Sequence, residues 1–281
     1  LAPRSRELKN QAMAFGAWCE STDVDVVAGI NSIAILSSLP HLPERIRAIA
    51  RCANSFDEGY RMTVMGRDRL SALVALTPRQ VSDLSRRYDV PKSLMRLIPN
   101  GTESGRFPAH TPMRDNTPLR VGFLGRLEHK QKGVLFLPSI LDLLERPGVE
   151  ATVKLAGKGT DEGTLKKDLS QRSLLDRVTF CGALSPEQVP GFLSETDVFL
   201  FPSQFEGCPN VLLEAMMAGC VPVAWRLEGI TDFVIRDGET GFLCELGDEQ
   251  AFAEKVALLA KDRELLRRMS EAAARGARER L

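Results

Sequence analysis

The chain has 281 residues, of which 43% are hydrophobic and 26% charged, as in an ordinary globular protein. Its 37 basic and 37 acidic side chains balance, which argues against a nucleic-acid-binding protein with a strong positive field. Six cysteines without C-x-x-C spacing and three widely separated histidines argue against a zinc site and fit buried free thiols in a reducing cytoplasm.

The charge is uneven along the chain. Residues 1–118 hold 16 basic and 12 acidic side chains, which leaves 21 basic and 25 acidic in the remainder. Two interpretations stay open: random variation of the surface, and peripheral contact of the first part with an anionic membrane. No apolar run of 18 residues and no signal peptide is evident, so we expect a cytoplasmic location that includes the inner face of the membrane. Because the sequence does not begin with Met, we expect a fragment or a processed piece.

The first part, residues 1–105, predicts three or four strands separated by helices. A helix over about 5–18 comes first, and Thr77 with Pro78 makes a good start for a later helix. A complete doubly wound domain has about six strands, so this N-terminal domain is expected to be incomplete. The strand candidates are DVDVVAGI (23–30), SALVALT (71–77) and LMRLIPNG (94–101).

Residues 102–118 are rich in Pro, Ser, Thr and charge, which is typical of a linker, and the linker itself is placed at residues 106–118. Residues 119–265 then alternate short apolar strands with helices, which favours a parallel sheet covered on both faces. The charged C-terminal segment predicts two helices broken near Lys261 and Asp262, with a final helix over 266–281. The strand candidates are LRVGFLG (119–125), ATVKLAGKG (151–159), RVTFCG (177–182), DVFLFPS (197–203), CVPVAW (220–225) and TGFLCEL (240–246).

The residues that directly follow these strands are the candidates for binding, because ligands of open parallel sheets lie at the carboxyl ends of the strands. Arg126 and Lys132 follow the first strand and suit a diphosphate, although a solvated surface shows such basic pairs as well. Gly125, Gly157 and Gly182 end the first three strands. They permit close approach of the backbone, and ordinary turns use them too.

Residues 201–223, FPSQFEGCPNVLLEAMMAGCVPV, place two glutamates around a predicted helix start. Glu206 precedes the helix that Pro209 opens, and the free N–H groups and positive dipole end at that point suit phosphate oxygens. Glu214 lies roughly 7–8 Å further along the helix axis, at about 1.5 Å per residue. It is either a helix-surface glutamate or, given its apolar neighbours, a buried carboxylate that requires a partner. The two acids could touch opposite ends of one extended ligand.

This segment resembles the E-x7-E segment of glycosyltransferase family 4, the retaining group 1 glycosyltransferases with the GT-B fold of two Rossmann-like domains. The resemblance covers essentially all of residues 119–265, through VGFLGRLEHKQKG, LAGKG, VTFCGALSPEQV, DVFLFPS and DFVIRDGETGFLCELGDEQAFAEKVALLAKD. The stretch ALVALTPRQVSDLSRRYDVPKSLMRLIPNG resembles the end of the N-terminal domain of that family. The resemblance therefore implies an acceptor-side N-terminal domain and a nucleotide-sugar-binding C-terminal domain.

The resemblance also implies a role for each candidate residue. Arg126 and Lys132 would hold the donor diphosphate, Glu206 would lie at the sugar near the reacting centre, and Glu214 would bind the ribose hydroxyls. The backbone amides of about Asn210–Leu212 would meet phosphate or sugar hydroxyls, and the Cys181–Leu184 turn would line the base. The donor-binding candidates besides Glu214 are Gly125, Gly157, Gly182, Ala183, Leu184, Gly207, Cys208, Asn210, Val211 and Leu212.

The implied activity is retaining transfer of a sugar from a UDP- or GDP-linked donor to a glycan or lipid-linked acceptor in polysaccharide or glycoconjugate synthesis. The nucleotide-sugar is a co-substrate, and neither a metal nor another cofactor is expected. Residues 1–22 do not supply the first strand and Gly-rich loop of the family, which puts activity of this chain alone in question. A nucleotide-sugar 2-epimerase of the same fold and a non-catalytic nucleotide-sugar-binding fragment stay open as alternatives. The role of Glu206, nucleophile or positioning group, stays open too.

Overall fold

The computed structural model describes residues 3–107, 117–145 and 148–280. Contacts divide the chain into two compact units, Leu1–Asn100 (unit 1) and Gly101–Leu281 (unit 2). Each unit is built on one parallel β-sheet, as the alternation of short apolar runs and helices predicts.

Unit 1 has a four-stranded sheet in the order β1-β2-β3-β4, and every neighbouring pair is parallel. Each of the three strand candidates contains a strand, and the predicted first helix is present. The sequence reading did not single out β2, because its arginines at both ends disguise a strand whose alanines are buried. The elements are α1 (Pro3–Ser21), β1 (Val26–Ile30), α2 (Ile33–Ser38), β2 (Arg47–Arg51), α3 (Asp57–Thr63), β3 (Leu70–Ala75), α4 (Pro78–Tyr88) and β4 (Met95–Leu97).

Helix α4 begins where the sequence predicts. The Thr77 hydroxyl accepts a hydrogen bond from the backbone N–H of Gln80 (3.4 Å), and Pro78 occupies the first turn. The helix ends at Asp89, whose φ of 52° is left-handed, and the Asp89 N–H donates to the carbonyl of Leu84. Tyr60 of α3 is fully buried and its hydroxyl donates to Asp83 of α4 (2.9 Å), which joins the two helices.

Unit 2 has a six-stranded parallel sheet in the order β10-β9-β8-β5-β6-β7. All six predicted strands are present, and the break between the last two helices falls at Asp262 as predicted. The elements are β5 (Leu119–Leu124), α5 (His129–Lys132), α6 (Leu137–Glu145), β6 (Ala151–Ala156), α7 (Glu162–Gln171), β7 (Val178–Gly182), α8 (Val189–Ser194), β8 (Val198–Phe201), α9 (Asn210–Met217), β9 (Val221–Trp225), α10 (Thr231–Val234), β10 (Phe242–Cys244), α11 (Glu249–Lys261) and α12 (Arg263–Arg280).

The strand order of unit 2 reverses between β5 and β8. The chain runs outward through β6 and β7, returns to place β8 beside β5, and then runs outward on the other side. Such a reversal opens a crevice at the carboxyl ends of the two central strands, and ligands of doubly wound sheets bind there. The loops that follow β5 and β8 are therefore expected to line one site.

The seam between β5 and β8 is narrow, since only Val121 and Gly122 pair with Val198 and Phe199. A buried ion pair holds the amino-terminal end of this seam, opposite the predicted site. The Asp197 carboxylate, 1% exposed, accepts from the guanidinium and the backbone N–H of Arg120 at 2.5–3.0 Å. These bonds raise the pKa of the Arg120 guanidinium above its usual value.

Of the predicted linker 106–118, residues 108–116 lie outside the described residues. Where it is described, the segment belongs to unit 2: Phe107 is buried among the side chains of α9 and β8. Among the described helices, none combines the length and the apolar composition that crossing a membrane requires.

Candidate functional site

A buried ion pair joins the two loops at the strand reversal of unit 2. Lys132, the last residue of α5, donates from Nζ to Glu206 Oε1 at 2.6 Å, and Glu206 lies in the loop after β8. The side chains are 14% and 6% exposed. A charge so poorly hydrated is stable only with a partner, and each of these two groups is the partner of the other. The predicted convergence of Lys132 and Glu206 is thus present in the structure.

Arg126 lies beside this pair and is held by two acceptors that the sequence reading missed. Its Nη1 donates to Glu128 Oε2 (2.9 Å), and its Nη2 donates to Gln131 Oε1. The side chain of Arg126 is 63% exposed, so the guanidinium remains accessible from solvent. The Gln131 amide nitrogen also donates to Glu206 Oε2 (3.4 Å), so Arg126 and Glu206 are connected through one side chain.

Close backbone packing shapes the loops after β5, β6 and β7. The N–H of Gly125 donates to the carbonyl of Ala156 (3.0 Å), and the N–H of Gly157 donates to that of Gly182 (2.7 Å). A Cβ atom on Gly157 would lie 1.8 Å from the carbonyl oxygen of Gly125, so only glycine allows this approach. The three predicted glycines therefore lie together at one edge of the sheet.

Helix α5 is fixed against the loop that follows β8. The Gln204 side-chain amide donates to the His129 carbonyl (2.7 Å), and the Gln204 N–H donates to the Gln131 carbonyl (2.8 Å). Gly133 ends the helix with a φ of 64° and lies directly against the Pro202 carbonyl. These contacts set the position of Lys132 relative to the loop that carries its acidic partner.

The start of α9 differs in detail from the prediction of free amides. Asn210 N–H donates to the Cys208 carbonyl, and Leu212 N–H donates to the Pro209 carbonyl, both at 3.0 Å. The cause is the tight turn at Pro209, which brings preceding carbonyls over the first helical turn. Of the three predicted amides, that of Val211 has no acceptor within the described parts of the chain. Gly207 and Cys208 are half-buried in the loop between Glu206 and this helix.

Glu214 lies one turn inside α9 and is half-buried. Burial raises the pKa of its carboxyl above the ordinary value, and the positive charge of Arg106 partly opposes that effect. No side chain in the described residues forms a hydrogen bond or an ion pair with this carboxylate. The sequence predicts that Glu206 and Glu214 contact opposite ends of one ligand. Their positions, before α9 and within it, are compatible with that prediction.

We expect the stability of the chain to respond to pH through Glu214. A carboxyl whose pKa is raised on folding contributes stability below its unfolded pKa, near 4.5, and loses that contribution as the pH rises through the folded value. Glu214→Gln removes the titration. The free energy of unfolding of the wild type minus that of E214Q should therefore fall as the pH rises from about 4.5 toward neutrality.

Urea denaturation over that pH range measures this difference. Glu271→Gln is the matched control, since Glu271 is an exposed residue of α12. A pH dependence of E214Q that does not differ from that of E271Q would contradict the raised pKa of Glu214.

The turn after β7 lies at the end of the site where the base is predicted. Gly182 ends β7, Ala183 is exposed and Leu184 is half-buried. Arg106, from the segment before β5, donates to the carbonyl of Pro186 (2.7 Å), just beyond this turn. Composition alone placed Arg106 in a linker, and no local pattern in the sequence indicates that it folds onto this turn.

Two buried polar atoms lack a hydrogen-bond partner among the described residues, Ser203 Oγ and Trp225 Nε1. Ser203 follows β8 and Trp225 ends β9, so both lie at the edge of the sheet that carries Glu206. Unsatisfied buried groups are rare in native proteins, and both of these belong to residues at the carboxyl ends of neighbouring strands.

The predicted site residues fall into two groups in the structure. Arg126, Lys132 and Glu206 form one connected polar network with Gln131. Glu214 and the turn after Gly182 are not linked to that network by any hydrogen bond among the described residues. Within residues 3–107, 117–145 and 148–280, no group of three or more His, Cys, Asp or Glu side chains is placed to hold a metal ion.

Comparison with known proteins identifies relatives of this chain. A family model described as "Glycosyl transferases group 1" matches residues 111–276. Alpha-D-kanosaminyltransferase of Streptomyces kanamyceticus is 29% identical over 73% of this chain and 55% of its own length. The lipopolysaccharide core biosynthesis glycosyltransferase LpsE of Rhizobium meliloti is 30% identical over 71% of this chain and 56% of its own. The chain thus spans about half the length of these relatives.

Solved structures share the fold at low sequence identity. TarM of S. aureus matches 94% of this chain and 54% of its own, with a TM-score of 0.81 and 17% identity. Anabaena HepE, solved in complex with UDP and glucose, matches 93% of this chain and 75% of its own, with a TM-score of 0.79 and 20% identity. These matches confirm the predicted GT-B fold class.

Proposed function

The chain belongs to the group 1 glycosyltransferases, and we propose that it takes part in retaining transfer of a sugar from a UDP- or GDP-linked donor to a glycan or lipid-linked acceptor. The observation that carries the proposal is the buried Lys132–Glu206 pair, with Arg126 beside it, at the strand reversal of unit 2. The sugar-transferring relatives support the reaction class, and the UDP in the HepE and TarM complexes supports a nucleotide donor.

In this proposal Arg126 and Lys132 bind the donor diphosphate. The bond between the anomeric carbon and the diphosphate oxygen breaks, and negative charge grows on that oxygen while the sugar becomes oxocarbenium-like. Two cationic side chains and the first turn of α9 stabilise the growing charge more than they stabilise the bound ground state. The acceptor oxygen bonds to the anomeric carbon on the same face, and its proton passes to the leaving diphosphate.

The two glutamates divide the remaining contacts. Glu206 lies at the sugar, where its negative charge favours the oxocarbenium-like state, and Lys132 holds the carboxylate in place. Glu214 accepts hydrogen bonds from the ribose hydroxyls, for which a half-buried carboxylate without a protein partner among the described residues is suited. The turn from Gly182 to Leu184 contacts the base. No metal or further cofactor is part of the proposal.

Binding and turnover test the proposal. We expect calorimetry on this chain to detect binding of UDP or GDP, and the wild-type chain to transfer or hydrolyse the corresponding nucleotide-sugar. Glu206→Ala should lower turnover by about 100-fold or more, as expected when a charged group at the reacting centre is lost. Binding of neither nucleotide would contradict the donor site. Unchanged turnover in E206A would contradict the role of Glu206.

The same assays separate the alternatives. Release of a 2-epimerised sugar from the nucleotide-sugar would indicate an epimerase, and binding without any turnover would indicate a nucleotide-sugar-binding protein.

A cytoplasmic location with peripheral membrane contact is also proposed, from the excess of basic residues in 1–118. Co-sedimentation with anionic vesicles at low salt tests that contact, and an unchanged soluble fraction would contradict it.

A further inference from the structure

The side chain of Gln131 contacts both charged parts of the proposed donor site. Its Oε1 accepts from Arg126 Nη2, and its Nε2 donates to Glu206 Oε2 and to the Phe205 carbonyl, each at 3.4 Å. We propose that Gln131 is a positioning residue that holds the diphosphate-binding arginine and the sugar-site glutamate in one arrangement. The inference rests on the proposed function, because that function gives the two groups a common ligand.

Only a carboxamide can make both contacts without adding charge. One end of the group is an acceptor that suits a guanidinium, and the other is a donor that suits a carboxylate. A glutamate in this position would place a second negative charge beside Glu206, and a lysine would place a second positive charge beside Arg126. A methionine would keep the length of the side chain and lose both hydrogen bonds.

Gln131 also provides a hydrogen bond to the second oxygen of the Glu206 carboxylate. Lys132 binds Oε1 and Gln131 binds Oε2, so the two oxygens have separate partners from adjacent residues of α5. This arrangement fixes the rotation of the carboxylate as well as its position. A group at the reacting centre needs such orientation, since small displacements there cost large factors in rate.

For Arg126 the contribution is different. Its long side chain is 63% exposed and would lose rotamer freedom on binding a ligand. Glu128 restrains the guanidinium but carries a negative charge that competes with a diphosphate. Gln131 restrains it with a neutral oxygen. The guanidinium is thereby pre-oriented and keeps its attraction for an anion, which favours binding.

Gln131→Met tests this role, with Gln204→Met as the matched control. Gln204 also ties α5 to the loop after β8, through the His129 carbonyl, but contacts neither Arg126 nor Glu206. The probes are UDP, GDP and inorganic pyrophosphate, with binding measured by calorimetry on the full 281-residue chain. We expect Q131M to bind pyrophosphate and the preferred nucleotide about tenfold more weakly, the loss typical of one hydrogen bond to a charged group. Q204M, which leaves the contacts of Gln131 with Arg126 and Glu206 in place, should lose clearly less affinity than Q131M.

A double-mutant cycle with Arg126→Ala separates positioning from a general loosening of α5. In the R126A background, Q131M should cause little further loss of pyrophosphate affinity, because the group that it positions is gone. In the transfer assay, Q131M should also lower kcat through Glu206 in addition to raising KM through Arg126. Q131E, isosteric and negative, should be worse than Q131M.

Three results would overturn the inference: equal losses in Q131M and Q204M, additive effects of Q131M and R126A, or wild-type affinity in Q131M. Thermal unfolding of each variant identifies any that fails to fold. If Q131M fails to fold, the isosteric Q131E, which should lose still more affinity, is compared with Q204M instead. If the wild-type chain binds none of the three probes, the proposed donor site is wrong and the inference falls with it. If the wild type binds and Q131M binds equally well, only the inference is wrong.

Discussion

Replacing Lys132 with methionine is expected to lower the free energy of unfolding by about 3–5 kcal/mol, because it leaves the Glu206 carboxylate buried without its cation. Glu206 is 5% exposed, and among the described residues the remaining polar contact of its side chain is the longer one to Gln131. The same change removes a proposed cation of the diphosphate site. K132M should therefore lose both stability and transfer activity.

Urea denaturation at neutral pH measures the loss of stability in K132M, and two further variants serve as comparisons. Lys130→Met is the matched control, since Lys130 lies two residues away on the exposed side of α5 and should change stability by less than about 0.5 kcal/mol. The double variant K132M/E206M removes both charges and should be more stable than K132M alone. Equal stabilities of K132M and K130M would show that the buried pair contributes nothing.

Replacing Gly133 with alanine is expected to be at least as damaging, for a steric reason. Gly133 has a φ of 64°, and a Cβ atom there would lie 1.9 Å from the Pro202 carbonyl oxygen. Neither backbone can yield without separating α5 from the loop after β8. We expect a loss of about 3 kcal/mol or more from this overlap. The ion pair between Lys132 and Glu206 should be broken as well, since it spans the same two segments.

Gly238→Ala isolates the steric contribution. Gly238 has a similar left-handed φ of 76°, but nothing lies within 4 Å of the position that a Cβ would take. It should therefore cost only the backbone strain of about 1–2 kcal/mol that an L-residue suffers there. Chemical denaturation of both variants, with nucleotide binding as a second readout, checks the difference. Similar losses in G133A and G238A would contradict the close contact at Pro202.

The six-stranded sheet of unit 2 could be predicted from the sequence because each of its strands is marked by the residues of the strand and of the turn that follows it. Each strand is a short apolar run ended by glycine, proline or a polar turn, and all lie parallel, so the rule that ligands gather at the carboxyl ends applied directly. Lys132 and Glu206 lie 74 positions apart in sequence and still meet as expected. In unit 1 the strand β2 was not predicted, because an arginine lies at each end and its buried residues include two small alanines, so it lacks a clear apolar run.

The details of the site were beyond the sequence because they depend on side-chain placement within short turns. Nothing in EHKQKG indicates that Gln131, rather than Lys130, points to Arg126 and Glu206. At the turn around Pro209, the backbone N–H groups of Asn210 and Leu212 donate to carbonyls of that turn, although helix geometry alone would leave both free. The folding of Arg106 onto the turn after β7 depends on the burial of Phe107, which a linker-like composition hides.

The two buried ion pairs of unit 2 also have a mechanical consequence. Arg120–Asp197 closes one end of the seam between β5 and β8, and Lys132–Glu206 closes the other, with two paired residues on each strand between them. A twist of the strands β5, β6 and β7 against β8, β9 and β10 would have to stretch one of the two ion pairs. We therefore expect the two ion pairs to resist such a twist, and the loss of either pair to weaken that resistance.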